Sequence, residues 1–136
     1  MSTPPESGAL AEPRQEHRVD GPALFADRIA AEFAYSLRHG SPLSLLVLEL
    51  RDPSRALPSN AAWRDGVRGG DIVARIDLRR VAIIAPCTDA PTASTIAARL
   101  REAVEGEVRI GHVTMSASSR FEGPGAMLRA AELSLS

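Results

Sequence analysis

Lysine is missing from this sequence: all 16 residues of the lysine-plus-arginine count are arginine. The first explanation is coding bias in an alanine- and arginine-rich genome. A preference for phosphate or guanine, which suit the planar guanidinium fork, comes second. Neither sign of charge dominates, because 17 acidic residues leave a formal net charge of -1, whereas a nucleic-acid binder ordinarily carries a clear basic excess. The single cysteine, Cys87, rules out an internal disulfide, and no Cys/His spacing suits zinc, so neither a metal nor a cofactor is expected. Cys87 itself, just after Pro86 and without a histidine motif beside it, reads as a partly buried free thiol. Aromatic residues make up only 4% of the chain, and Tyr35, Trp63 and Phe121 are too scattered for a base-stacking platform. His17, His39 and His112 fit no Ser-His-Asp pattern. No apolar run approaches the about 20 residues of a membrane-spanning helix, and the N-terminus lacks the basic-then-apolar order of a signal peptide. Membrane insertion is therefore not expected, and the cytoplasm is the expected address.

What is present is enough apolar material, 44% of 136 residues, for one domain with one real core. Residues 1–19 hold three prolines and no apolar periodicity, which predicts a disordered tail. The domain is expected over residues 20–136. Leu24, Phe25, Ile29, Phe33 and Leu37 recur at helical spacing, with Gly40 and Pro42 as the stop, and predict a helix over 22–39. The run LSLLVLEL, Leu43 to Leu50, is too short for a typical helix and reads as a central strand covered on both faces. Residues 51–60 read as irregular, and 61–67 hold at most two turns of helix around Trp63.

Ile72, Val73 and Ile76, then Val81, Ile83 and Ile84, form two β-rich runs around the polar stretch Asp77 to Arg80, which is the pattern of a hairpin. Pro86 ends the second run. Thr88 or Asp89 caps the next helix, whose apolar face carries Ile96, Leu100, Ala103 and Val104 and which closes at Gly106. Residues 108–110 and 113–118 read as strand with a break at Gly111, and Pro124 opens a last helix with Met127, Leu128, Ala131 and Leu135. The predicted fold class is α+β: a βαββαβ, ferredoxin-like or nucleotide-cyclase-like core behind an extra N-terminal helix. Such a core builds an antiparallel sheet with helices on one face.

Several short patterns fall in register along this frame. Asp20, Phe25, Asp27 and Arg28 come first; RGGDIVARI, DLRRV and AIIAP follow around the hairpin; VTMSASS and MLRAAELSL close the chain. In common order and spacing they resemble a GGDEF domain, the fold of diguanylate cyclases, over most of residues 20–136. Gly69-Gly70-Asp71 is a decoy, because it lies on the wrong side of the VARI strand. The signature position falls instead on Asp77, Leu78, Arg79, Arg80 and Val81, and none of its five letters is retained.

The resemblance implies a domain whose active relatives join two GTP molecules with divalent metals held by carboxylates, since hard cations need anionic oxygen ligands. The first metal position corresponds to Glu49, the residue two further on is Arg51, and the metal Asp and adjacent Glu of the signature become Arg79 and Arg80. Asp77 and Leu78 replace the glycines that admit substrate. Positions that read guanine in the family fall on Pro53, Ser54, Leu57 and Pro58. The expectation is a degenerate, catalytically inactive domain. An active cyclase is the least favoured alternative.

The same resemblance carries an Arg-x-x-Asp motif for cyclic di-GMP onto Arg68 and Asp71, with IVARI between Asp71 and Asp77. A guanidinium donates paired bonds to guanine or phosphate, and a carboxylate accepts from guanine N–H groups. Arg64 and Arg75 are candidate auxiliary phosphate contacts. Two readings stay open: a regulatory domain that receives cyclic di-GMP and signals to a protein partner, and an interaction or dimerisation module in which Arg68 and Asp71 only offset a helix dipole and close a turn.

Overall fold

A computed structural model describes residues 19–52, 67–104 and 108–136. The expected tail, the Trp63 segment, Arg64 and Gly106 lie outside the described residues, except that Val19, expected as the last residue of the tail, forms a short strand with Asp20. In chain order the elements are β1 (Val19–Asp20), α1 (Pro22–His39), β2 (Leu43–Leu50), β3 (Ile72–Arg75), β4 (Arg80–Pro86), α2 (Ala90–Val104), β5 (Val108–Met115) and α3 (Pro124–Leu133). They build one sheet in the order β1-β3-β4-β2-β5. β2 runs antiparallel to both β4 and β5, β3 is antiparallel to β4, and β1 adds a parallel edge to β3. The fold class is thus the expected α+β.

β2 is buried along its whole length, because both of its faces are covered. Leu46, Leu48 and Leu50 point into one apolar layer with Val73, Val81, Ile83, Ile110 and the α2 residues Ile96, Ala97 and Leu100. Leu43, Leu45 and Val47 point into the other, with Phe25, Ile29 and Phe33 of α1 and Met127 and Ala131 of α3. The expectation of helices on one face is therefore corrected. α2 covers one face and α1 with α3 the other, as the unbroken apolar run of β2 already required.

The helix ends follow local chemistry. α1 starts with Pro22 at its first turn, where the missing N–H costs nothing, and stops at Gly40, whose φ of 68° is left-handed and whose N–H donates to the Ser36 carbonyl at 2.8 Å. Asp89, not Thr88, caps α2: its Oδ1 accepts from the Thr92 N–H at 3.0 Å. Hydrogen bonding to Thr92 holds the Asp89 carboxyl below its ordinary range.

Gly111 does not break the fifth strand. β5 runs unbroken from Val108 to Met115 with Gly111 paired to Val47. Glycine stands there because the end of α3 lies directly on the strand: a methyl group at this position would sit 2.7 Å from the Leu135 nitrogen and closer still to the Ala131 carbonyl oxygen. The same chain end and Arg101 of α2 guard the outer edge of β5: the Ile110 N–H donates to the Ser136 oxygen at 3.3 Å, and Arg101 Nη2 donates to the Ile110 carbonyl at 3.2 Å. Because both obstacles are backbone atoms, Gly111→Ala is expected to destabilise the domain by on the order of 3 kcal/mol in a urea titration. A variant of wild-type stability would contradict the tight docking of α3.

Candidate functional site

Two polar clusters sit at opposite ends of β4, about 20 Å apart by the rise of a strand. The first surrounds the β3–β4 hairpin. Its turn is closed from within, since Asp77 Oδ1 accepts from the backbone N–H groups of Arg79 and Arg80, each at 2.9 Å. Leu78 projects at the tip and is 86% exposed. Arg79 turns back, its Nη2 donating to the Leu50 carbonyl at 3.3 Å. Val81 is wholly buried in β4.

Glu49 lies at the centre of this cluster, and register decides its neighbours. It pairs directly with Arg80 on β4 and with Arg109 on β5, so a row Arg80-Glu49-Arg109 crosses three strands. Only 5% of the Glu49 side chain is exposed. Its Oε2 accepts from Arg80 Nε at 2.9 Å, and its Oε1 accepts from Arg109 Nη2. Arg80 also donates through Nη1 to Glu132 Oε2 of α3 at 2.9 Å. Burial alone would raise the Glu49 carboxyl, but the hydrogen bonds from Arg109 and Arg80, and their charges, outweigh it and hold it below its ordinary value. The bond to Glu49 in turn raises Arg80. A depression of about 400 Å³ opens beside Glu49, Asp77, Leu78, Arg79 and Arg80.

The second cluster holds Arg68 and Asp71. Asp71 is buried, and its carboxylate turns onto the arginine: Oδ2 accepts from Arg68 N at 2.9 Å and from Nε at 3.4 Å, and Oδ1 accepts from Nη2 at 3.2 Å. The Asp71 N–H closes the same turn on the Arg68 carbonyl at 3.0 Å. Nη2 also donates to Thr88 Oγ1. The Arg68 side chain nevertheless stays 45% exposed while that of Asp71 is 1% exposed. Arg68, Gly70, Asp71, Pro86 and Cys87 line a depression of about 320 Å³. Cys87 is exposed, not partly buried as expected, and its φ of 52° turns the chain sharply after β4.

The structure therefore brings Arg68 and Asp71 together, but on each other rather than side by side toward a ligand. Arg75 lies at the end of β3 opposite Val81 and is not among the described residues that line the Arg68 depression. Arg109, Glu132, Thr88 and Ser44 were missed by sequence reasoning. Glu132 and Arg109 carry no local motif, and only the strand register places them on one carboxylate.

With this geometry in hand, comparison with solved structures defines the class of fold as that of GGDEF diguanylate cyclase domains. The diguanylate cyclase SiaD of Pseudomonas aeruginosa, solved with its activator SiaC, superposes with a TM-score of 0.76 at 16% identity over 93% of this chain. The present chain spans 58% of that SiaD chain. The GGDEF domain of FimX from Pseudomonas aeruginosa matches with a TM-score of 0.70 at 16% identity, over 88% of this chain and 90% of that one. The GGDEF domain of DgcB from Caulobacter crescentus, solved with c-di-GMP, matches with 0.69 at 15%, over 85% and 80%. No protein-family model and no curated protein sequence matches the chain.

The electrostatics of the hairpin cluster set a pH dependence. Since the folded Glu49 carboxyl is held below the about 4.3 of an unfolded glutamate, its contribution to stability is complete above that value and is lost as pH falls through the lower folded one. Glu49→Gln is expected to lower stability by about 1–3 kcal/mol at neutral pH and to flatten the fall below about pH 4 in denaturant titrations. An unchanged acid limb in this variant would contradict the depressed carboxyl.

Proposed function

We propose that this chain is a non-catalytic regulatory domain on the GGDEF fold, which works by binding and not by turnover. The observation that carries this reading is the Arg80-Glu49-Arg109 row. A divalent cation at the hairpin would need several anionic oxygens. The one acid of β2 that faces it is already bracketed by two guanidinium groups, and Arg79 and Arg80 stand where further carboxylates would be required. Among the described residues no group of three His, Cys, Asp or Glu side chains is placed to share a metal ion. The donor set at the hairpin thus does not suit Mg²⁺. The Asp77 carboxylate, spent on its own turn, and the bulk of Leu78 add to this.

The ligand of the proposed regulatory domain is cyclic di-GMP, received at Arg68. Support comes from the half-exposed guanidinium beside the 320 Å³ depression and from the neighbour DgcB, which is solved with that nucleotide. Arg68 is then the group that touches ligand, while Asp71 holds it in place. The second reading, a protein-interaction or dimerisation module that binds no nucleotide, is favoured by the complete use of the Asp71 carboxylate within its own turn. The neighbour SiaD, solved with the protein SiaC, fits a protein partner under either reading. A cytoplasmic address belongs to the same proposal; among the described residues no helix is long and apolar enough to cross a membrane.

Incubation with GTP and Mg²⁺, followed by chromatography, is expected to give no cyclic dinucleotide, and its accumulation would overturn the non-catalytic reading. Calorimetric titration with cyclic di-GMP is expected to show saturable binding that Arg68→Ala weakens at least about tenfold, the worth of one charge-assisted hydrogen bond. No heat from the wild-type domain would decide for the interaction module.

A further inference from the structure

Thr88 is buried to 1% exposure in the turn between β4 and α2, although the neighbouring Asp89 is the residue that caps the helix. A buried hydroxyl requires partners, and the hydrogens here can be assigned one by one. Thr88 Oγ1 carries a single hydrogen, donated to the Pro86 carbonyl at 2.9 Å. Toward Arg68 Nη2 it is therefore an acceptor. Its backbone carbonyl accepts from Ser44 Oγ at 2.8 Å, and Ser44, in the fully buried β2, lies 2.7 Å from Thr114 Oγ1 on β5. Because the one hydrogen of Ser44 is already given to Thr88, Thr114 is the donor to Ser44. Two hydroxyls thus run in a directed relay from Thr114 of β5 through Ser44 of β2 to the backbone carbonyl of Thr88, in the loop that meets Arg68.

This relay determines what Arg68 can offer. Of the five guanidinium N–H donors, Nε and one hydrogen of Nη2 go to Asp71, and the other hydrogen of Nη2 goes to Thr88. Among the described residues no hydrogen bond uses Nη1, the charge of Asp89 lies near the guanidinium, and the arginine is half exposed beside the depression. Asp71 alone would fix one edge of the fork but would leave it free to swing with the 68–71 turn. Thr88, anchored to the sheet through Ser44, supplies a second and independent point of attachment.

We propose that Thr88 is a positioning residue for ligand binding: its backbone carbonyl is tied to the sheet through Ser44 and Thr114, and its hydroxyl, held on that fixed backbone, locks the Arg68 guanidinium with Nη1 turned toward the depression, ready for a guanine edge or phosphate oxygen of cyclic di-GMP. This rests on the reading of Arg68 as the ligand contact. Asp71 and Thr88 together remove the rotamer freedom that a long side chain otherwise loses on binding. A guanidinium has N–H donors and no acceptor, so the group presented at the depression suits an acceptor-rich ligand.

The test separates the lock from the ligand. In the ligand-free protein, the side-chain amide signals of Arg68 are expected to be resolved and slow to exchange with water in NMR spectra. Thr88→Val should collapse them, and Thr88→Ser, which keeps the hydroxyl, should retain them. In calorimetric titration with cyclic di-GMP, Thr88→Val should bind about tenfold more weakly and Thr88→Ser within about twofold of wild type. Well-dispersed backbone spectra establish that each variant is folded. Unchanged Arg68 signals in Thr88→Val, or collapsed signals with wild-type affinity, would overturn the positioning role. Collapsed signals together with no binding by the wild-type protein would instead overturn the receptor reading and support the lock, which the spectra report without ligand.

Discussion

A carboxylate buried in an interior strand of a sheet must be neutralised on the spot, and Glu49 is neutralised from both sides by the residues the register sets beside it. Arg80 and Arg109 stand directly across from it on β4 and β5, and Arg80 reaches on to Glu132 of α3. Three strands and a helix are thereby tied through one acid. The desolvation of Glu49 is substantial, and removing a single partner from such a pair costs more than the pair contributes. The arrangement is consistent only as a whole: the hairpin turn must present Arg80, α3 must bring Glu132, and β5 must keep the register that aligns Arg109. Gly111, two residues further along β5, lets α3 lie close enough to do so.

The same sheet separates two chemistries. At the hairpin end, positive and negative groups consume one another: Asp77 serves its own turn, Glu49 its flanking arginines and Arg79 a strand carbonyl. At the far end of β4, Arg68 is held by a carboxylate and a hydroxyl yet stays half exposed. A fold whose solved neighbours include GGDEF domains thus carries a closed polar cluster at one end of β4 and a half-exposed guanidinium at the other.

Much of this was legible from residues alone, and the remainder was not for identifiable reasons. The helix over 22–39, the central strand and the hairpin follow from apolar periodicity, from the run LSLLVLEL and from a polar turn between β-rich segments. The pairing of Arg68 with Asp71 was visible as a spacing, but its direction was not, because spacing cannot show that a carboxylate points inward. Glycine weakens strands, so Gly111 reads as a break in sequence, whereas in the fold it makes room for a helix end 20 residues or more away in sequence. Arg109, Glu132 and Thr88 become functional only through contacts between residues remote in sequence, which no local pattern encodes. The two-residue β1 is too short for any periodicity to announce it.

Titration with Mn²⁺ in the presence of a non-hydrolysable GTP analogue, followed by paramagnetic broadening in NMR spectra, probes the hairpin most directly. With guanidinium groups occupying both oxygens of Glu49, the expected result is no selective broadening at Glu49, Asp77 or Arg80. Saturable broadening confined to those residues would show that a divalent cation displaces the arginines, and would contradict the central claim.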